Sequence, residues 1–430
     1  MFYSVRNFLV QEKVSYRILV AFNMCFSTSI FQSFRLIIFK FIMKKKYATL
    51  FFILLEWYLG SINILYAQKG VFIVDSLKLN ISYVGSFLHG SSTNKGYYLT
   101  NNQIFSYQDA ILNTLPINIL EKEPDFRGIA LKKNIYLFNY PNYVLKIDTI
   151  TKKEKKLKIV SKHKGKEYDI ITLNANSLMF IEEENVMLAY IVPIGDEKEN
   201  MYNSVQWYNG SIIGVFKVKG STLKLSNIIC PRSDVFHQNK YLPYLQWVRF
   251  FYDTKDVYVS QEPTYIISKV NLKTGLVDKF GEKGHYDKTD TFFPITSIEN
   301  TTPRKELAYR YLSTEYSDIY VDSKKSRVFR IYSPGVNYSF NKDSLNNIVK
   351  ICANDAYFNL IQKLIFETKK SYLQVYELKG SSKYGLVIDT LIPSYVTEIT
   401  NVEGEVIYFK ASPKLDKMET IIYKSNLILK

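Results

Sequence analysis

Along most of this chain, apolar side chains recur at every second position in runs of about four to eight residues. Each run stops at a short cluster of Gly, Asn, Asp, Lys or Pro. Alternation places successive side chains on opposite faces of a pleated strand, so the pattern predicts short strands joined by tight polar turns. DVYVSQEPTYIISKV at 256–270 is strand, turn and strand, and NLKTGLVDKFG after it adds a further turn and strand. NIYLFNYPNYVLKI at 134–147 and DIYVDSKKSRVFRIY at 318–332 follow the same grammar. Weaker copies lie at 96–108, 176–191, 371–391 and 405–424, which brings the recurrences to seven. Helical period is confined to 343–351 and parts of 353–364.

A repeat of roughly 35 to 60 residues is the signature of a radial array, because one meander cannot bury both of its faces and stacked meanders can. The expected fold is therefore all-β: a β-propeller of six to eight four-stranded blades, with seven fitting the recurrences best. Two β-sandwiches are the rival, but no linker rich in Pro, Gly or Ser divides the chain. The turns agree with a meander. Asn271 is placed to close the NLKTG turn through its side chain, and Gly275 supplies positive φ without steric cost. Pro334 and Gly335 mark another break.

The pattern changes character near the start. MKKKYATLFFILLEWYLGSINILYAQKG at 43–70 has a lysine cluster, an apolar run and Ala67 before Gln68, the order of parts of a secretory signal peptide. Glu56 within the apolar run and Leu65 near the cleavage site depart from that pattern. A retained membrane anchor is the alternative, and Glu56 at mid-membrane opposes it by a few kcal/mol. We read 43–67 as a signal peptide, 1–42 as an extension upstream of the true start, and 68–430 as the propeller domain. The expected location is periplasmic or extracellular, and the membrane is met only through the signal segment.

Charge and cysteine narrow the partners. The net charge is +16 over 430 residues, and residues 1–67 carry eight basic and two acidic side chains, which leaves +10 for Gln68–Lys430. The densest run, KKEKKLKIVSKHKGK at 152–166, has the charge to meet polyanions. No arginine and aromatic residues interleave with it, so it reads first as a solvated strand and loop, and nucleic acid is not an expected partner. Cys230 and Cys352 are too few for a disulfide framework, and no lipobox cysteine follows the signal.

No constellation names a reaction. His89, His163, His237 and His285 lie in no HExxH, HxH or CxxC context, so no metal is called. His285 has Asp287 and Asp290 close in sequence, but a loop histidine beside carboxylates is more often solvated. The acidic stretches 181–185 and 195–200 lack the spacing of a calcium loop. No GxSxG elbow or glycine-rich nucleotide loop occurs. Arg304, Arg310, Arg327 and Arg330 form the most distinctive polar group, either structural ion pairs or a fork for carboxylates and sulfates.

The segments KVNLKTGLVDKFG (269–281) and DIYVDSKKSRVFRIYSPG (318–335) resemble the secreted Bacteroidota propellers of domain of unknown function 4221. The matching positions are Asn271, Leu272, Thr274, Gly275 and Gly281, then Tyr320, Asp322, Arg327, Phe329 and Arg330. Val321 between Tyr320 and Asp322, and Phe329 where Tyr is usual, depart from that pattern. The resemblance implies a propeller fold and an envelope location, and it implies no chemistry. The expected function is a non-enzymatic binding or interaction module, monomeric, without cofactor, whose partner is a protein or glycan of the cell envelope. A glycan-directed hydrolase or lyase on the same scaffold, and a membrane-tethered structural protein, are the alternatives.

Overall fold

The computed structural model describes residues 70–79, 86–87, 95–99, 104–108, 111–114, 128–132, 135–139, 142–148, 151, 153–171, 178–181, 183–194, 210–233, 248–261, 264–287, 314–335, 370–380, 383–393, 396–411 and 420–428. All fall within the unit Lys69–Lys430. The stretches 1–42, 43–67, 195–200, 343–351 and 353–364 lie outside the described residues, as do His89, His237, Asp290, Arg304, Arg310 and Cys352.

The described residues form 25 strands and no helix. In chain order they are β1 (Gly70–Leu79), β2 (Ser86–Phe87), β3 (Lys95–Leu99), β4 (Ile104–Gln108) and β5 (Ile111–Thr114), then β6 (Gly128–Lys132), β7 (Ile135–Asn139), β8 (Tyr143–Asp148) and β9 (Glu154–Val160). Next come β10 (Tyr168–Ile170), β11 (Leu178–Ile181), β12 (Val186–Pro193), β13 (Ser211–Lys219) and β14 (Thr222–Pro231), followed by β15 (Val248–Asp253), β16 (Asp256–Gln261), β17 (Ile267–Asn271) and β18 (Val277–Phe280). The last are β19 (Glu315–Asp322), β20 (Arg327–Ser333), β21 (Ser371–Lys379), β22 (Lys383–Ile392), β23 (Val396–Glu403), β24 (Val406–Ala411) and β25 (Thr420–Ile428).

Antiparallel pairing groups them into meanders: β2–β5, β6–β9, β11–β14, β15–β18, β19–β22, and β23–β25 completed by β1. Successive meanders pack face to face. Val144 and Leu157 meet Leu178, Phe216 and Leu223; Tyr190, Ile213 and Val215 meet Phe250 and Val259. Tyr258 and Ile267 meet Ile319 and Tyr376, Phe329 and Leu373 meet Ile399 and Phe409, and Ile422 and Leu79 meet Tyr107. The architecture is a β-propeller. β1 closes it, pairing with β25 from Gly70↔Ile428 to Leu79↔Thr420.

Six meanders form among the described residues, the low end of the expected range. The recurrences at 318–332 and 371–391 belong to one sheet, joined by the β20–β21 ladder from Arg327↔Glu377 to Tyr332↔Tyr372. Two hairpins of identical grammar make one blade whenever their inner edges pair, and hairpin periodicity does not encode that choice. A second departure lies between the second and third meanders. Their outer strands β9 and β14 pair in parallel, Thr222↔Lys158 to Lys224↔Val160, and fuse the two into a nine-stranded sheet.

The β17–β18 turn forms as its residues dictate. Asn271 Oδ1 accepts the N–H of Lys273 at 3.2 Å and of Thr274 at 2.9 Å, and Gly275 takes φ +74°. Gly281, at φ +115°, runs so close to the Tyr265 carbonyl that an added Cβ would collide with it. Because ring closure rests on β1, a chain lacking Gly70–Leu79 is expected to lose its cooperative thermal transition. Circular dichroism melting of the truncated and intact forms checks this, and an unchanged melt would refute the closing role.

Candidate functional site

The innermost strands β15, β19 and β23 lie side by side around the axis, each with one backbone edge unpaired by its own sheet. An interior edge leaves N–H and C=O groups in need of partners. Polar side chains from the neighbouring blade supply them. Arg249 on β15 donates through Nε to the Ser317 carbonyl at 3.0 Å. Asp318 on β19 accepts the N–H of Ile399 on β23 at 2.6 Å. Ser371 on β21 donates to the Val396 carbonyl at 3.1 Å. Behind Asp318, Glu398 and Lys410 face each other across β23–β24 as a buried ion pair at 3.4 Å.

This is where charge converges in the described residues. Asp318 is 1% exposed and Glu398 6%. Burial, with the Glu398 charge adding to it, pushes the Asp318 carboxyl up to about 7, against the opposing pull of the Ile399 N–H and of Arg249. A carboxyl with a raised pKa beside a second carboxylate resembles an acid–base pair, but both side chains are closed to solvent and Asp318 is engaged by backbone.

A second network straps the segment after β18 onto the blade β19–β22. Tyr316, Tyr332 and Tyr372 are direct cross-strand neighbours and stack with centroids 5.5 and 5.3 Å apart. Tyr286 extends the ladder, 4.3 Å from Tyr372. Their hydroxyls take up the passing backbone: Gly284 N–H donates to Tyr316 at 3.1 Å and Tyr286 N–H to Tyr332 at 3.3 Å. Arg330, wholly buried, lies 4.5 Å over the Tyr316 ring. It donates to Gln374 Oε1 at 3.1 Å, to the Glu282 carbonyl at 3.1 Å, to Tyr376 Oη at 2.8 Å and to the Tyr265 carbonyl.

The residues singled out in the sequence are divided by this geometry. Arg330 and Arg327 take structural roles; Arg327 pairs with Glu377 at 2.7 Å and Glu405 at 2.8 Å. His285 is exposed, and its backbone N–H donates to Asp389 at 2.7 Å. Asp287 accepts instead from Thr314 at 2.7 Å and Tyr316 at 2.9 Å. His163 sits in a two-residue bridge with Lys166. Residues 183–185 form the exposed β11–β12 turn, with Glu184 3.7 Å from Lys273. Cys230 is a buried free thiol, which burial pushes up to about 12. No group of three or more His, Cys, Asp or Glu suited to a metal occurs among the described residues. Asp318 and Glu398 carry no mark in the sequence because each sits in an ordinary strand among other scattered acids, 80 residues from the other.

No family model matches this chain, and no curated protein does. A solved structure does: the crystal structure of a member of the DUF4221 family from Bacteroides vulgatus covers 84% of this chain and 100% of its own, with a TM-score of 0.57 and 10% identity. The two share a fold. At that identity the likeness extends to architecture alone. Weaker likenesses include the extracellular domain of a two-component system from B. thetaiotaomicron, at TM-score 0.37, 12% identity and coverage of 79% of this chain and 32% of that one. The Cps50 (Swd1) β-propeller domain of Myceliophteria thermophila is matched at TM-score 0.38 and 8% identity, over 83% of this chain and 100% of that one.

Two outcomes follow for this propeller. With its pKa raised from about 3.9 to about 7, Asp318 holds its proton in the native state where the unfolded chain has released it. Stability therefore falls as pH rises from about 4 to about 7. Asp318→Asn keeps an acceptor for Ile399, so it should flatten that fall and leave the variant more stable than the parent at pH 8, as read from urea midpoints at pH 4, 6 and 8. Arg330→Met removes a buried, charged donor from four acceptors: the Tyr265 carbonyl loses its side-chain donor, while the Glu282 carbonyl keeps Gln374 Nε2 and Gln374 Oε1 keeps Tyr376 Oη. It should cost about 3 kcal/mol or more in the same assay; a loss below about 1 kcal/mol would deny the strap its role.

Proposed function

We propose that this chain is a secreted or periplasmic propeller that acts by binding, as a monomer, a protein or glycan of the cell envelope, without turning it over. The observation that carries the reading is the engagement of the axial polar groups. Arg249 and Asp318 bond to the backbone edges of neighbouring blades, and Glu398 to Lys410. An enzyme needs its acid and base within reach of the bond they cleave. Here the converging carboxylates are buried between blades. The signal-like order of parts in segment 43–67 supports the envelope location. Among the described residues no helix is long and apolar enough to cross a membrane.

The Asp318–Glu398 pair is what favours the alternative, a glycan hydrolase or lyase, and the same pair makes it testable. Purified Gln68–Lys430 incubated with a panel of envelope and plant polysaccharides should release no reducing ends above background and should retain a subset of them on a column. Release of reducing ends by the parent that disappears in a folded Asp318→Asn variant would overturn the binding reading.

A further inference from the structure

The parallel seam between β9 and β14 has a consequence for surface chemistry. Along β9, Leu157 and Ile159 face the core; along β14, Leu223 and Leu225 do; along β13, Phe216 and Val218. Side chains alternate along a strand and partners share a face. The opposite face of these three neighbouring strands therefore carries Lys156 and Lys158, then Thr222 and Lys224, then Lys217 and Lys219. All five lysines are exposed. Register fixes their neighbours: Thr222 lies beside Lys158, Lys217 is directly across from Lys224, and Lys219 is across from Thr222. The backbone is tied as well, with Lys158 N–H donating to the Ser221 carbonyl at 2.9 Å.

Two clusters more than fifty residues apart in sequence thus become one array. Its charges stand about 5 Å apart across the strands and about 7 Å apart along them. Placing Lys217 opposite Lys224 is unfavourable for an isolated sheet, since like charges in direct register repel. Lys158, Lys217, Lys219 and Lys224 enter no ion pair among the described residues. Lys162, Lys164 and Lys166 follow β9 and are exposed too.

We infer that this face binds an anionic polysaccharide, a chain carrying carboxylates or sulfates at close intervals. The inference rests on the binding reading above and names the partner's chemistry and the surface that meets it. Three observations choose among polyanions. The array holds no arginine, and the ring that borders it, half-buried Tyr143 directly across from Lys158, is already covered by Lys156 with its Nζ 4.8 Å from the ring centroid, so it offers no open platform for stacking bases, which disfavours nucleic acid. None of the large exposed apolar side chains, Phe72, Ile73, Val74, Ile194, Leu276, Tyr286, Leu391 and Ile428, lies on these three strands, so nothing there inserts into a bilayer. The charges are laid out in rows on rigid strands, which suits an extended polymer.

The test uses Gln68–Lys430 and a Lys158→Gln/Lys217→Gln/Lys219→Gln/Lys224→Gln variant. Lys255→Gln/Lys324→Gln/Lys379→Gln/Lys383→Gln, four exposed lysines elsewhere, is the control of equal charge. Binding is titrated to dextran sulfate, polygalacturonate, phosphatidylglycerol vesicles and a DNA duplex at several salt concentrations. The array variant should lose at least about tenfold in affinity for the two polysaccharides with a shallower salt dependence, by the counterion-release argument, and the control less than about twofold. Equal losses in both variants, or tighter binding to vesicles or DNA than to either polysaccharide, would overturn the inference. Shortening of polygalacturonate chains during the titration, read by size-exclusion chromatography, would instead overturn the binding-only reading while the array kept its role.

Discussion

Everything in this molecule depends on one ladder, the pairing of β1 with β25. Each meander is amphipathic on both faces and needs a neighbour on either side, so an open row would leave two apolar faces in water. Pairing the first described strand with the last makes the final blade complete and brings Leu79 and Ile422 against Tyr107 of the first meander. The hydrophobic clusters from the second blade to the last continue the same series.

Closure creates a second problem at the centre, where the inner strands expose backbone edges that no sheet partner reaches. The protein meets it with side chains that cross from blade to blade: Arg249 to Ser317 and Asp318 to Ile399. These bonds explain why ionisable groups occupy positions an all-apolar core would otherwise fill. The raised pKa of Asp318 comes instead from its burial and the neighbouring Glu398 charge, against the downward pull of the Ile399 N–H and Arg249. The tyrosine ladder solves a similar problem further out, giving partners to the backbone of 282–286 as it crosses the blade β19–β22.

Much of this was legible in the order of residues, and some was not, for physical reasons. Alternation marked the hairpins, and Asn271 and Gly275 marked their turn, because those features act over two to five residues. Which hairpins share a sheet was not legible: the ladder joining 318–332 to 371–391 depends on edges meeting in space. The arginine group was visible as composition, yet the partners of Arg330 lie 44 to 65 residues away, at Gln374, Tyr376, Glu282 and Tyr265. The lysine run at 152–166 was plain, but its continuation on β13 and β14 emerges only from the parallel seam.

That seam has a mechanical side as well. Elsewhere, among the described strands other than the closing one, blades meet through side chains. Between β9 and β14 the junction is main chain, with Lys158 bonded to Ser221 and three residue pairs in register. Two blades are thereby joined into one continuous plank of nine strands. A polymer laid across the plank meets a ruler whose marks do not drift, and it gives up little further order in reading them.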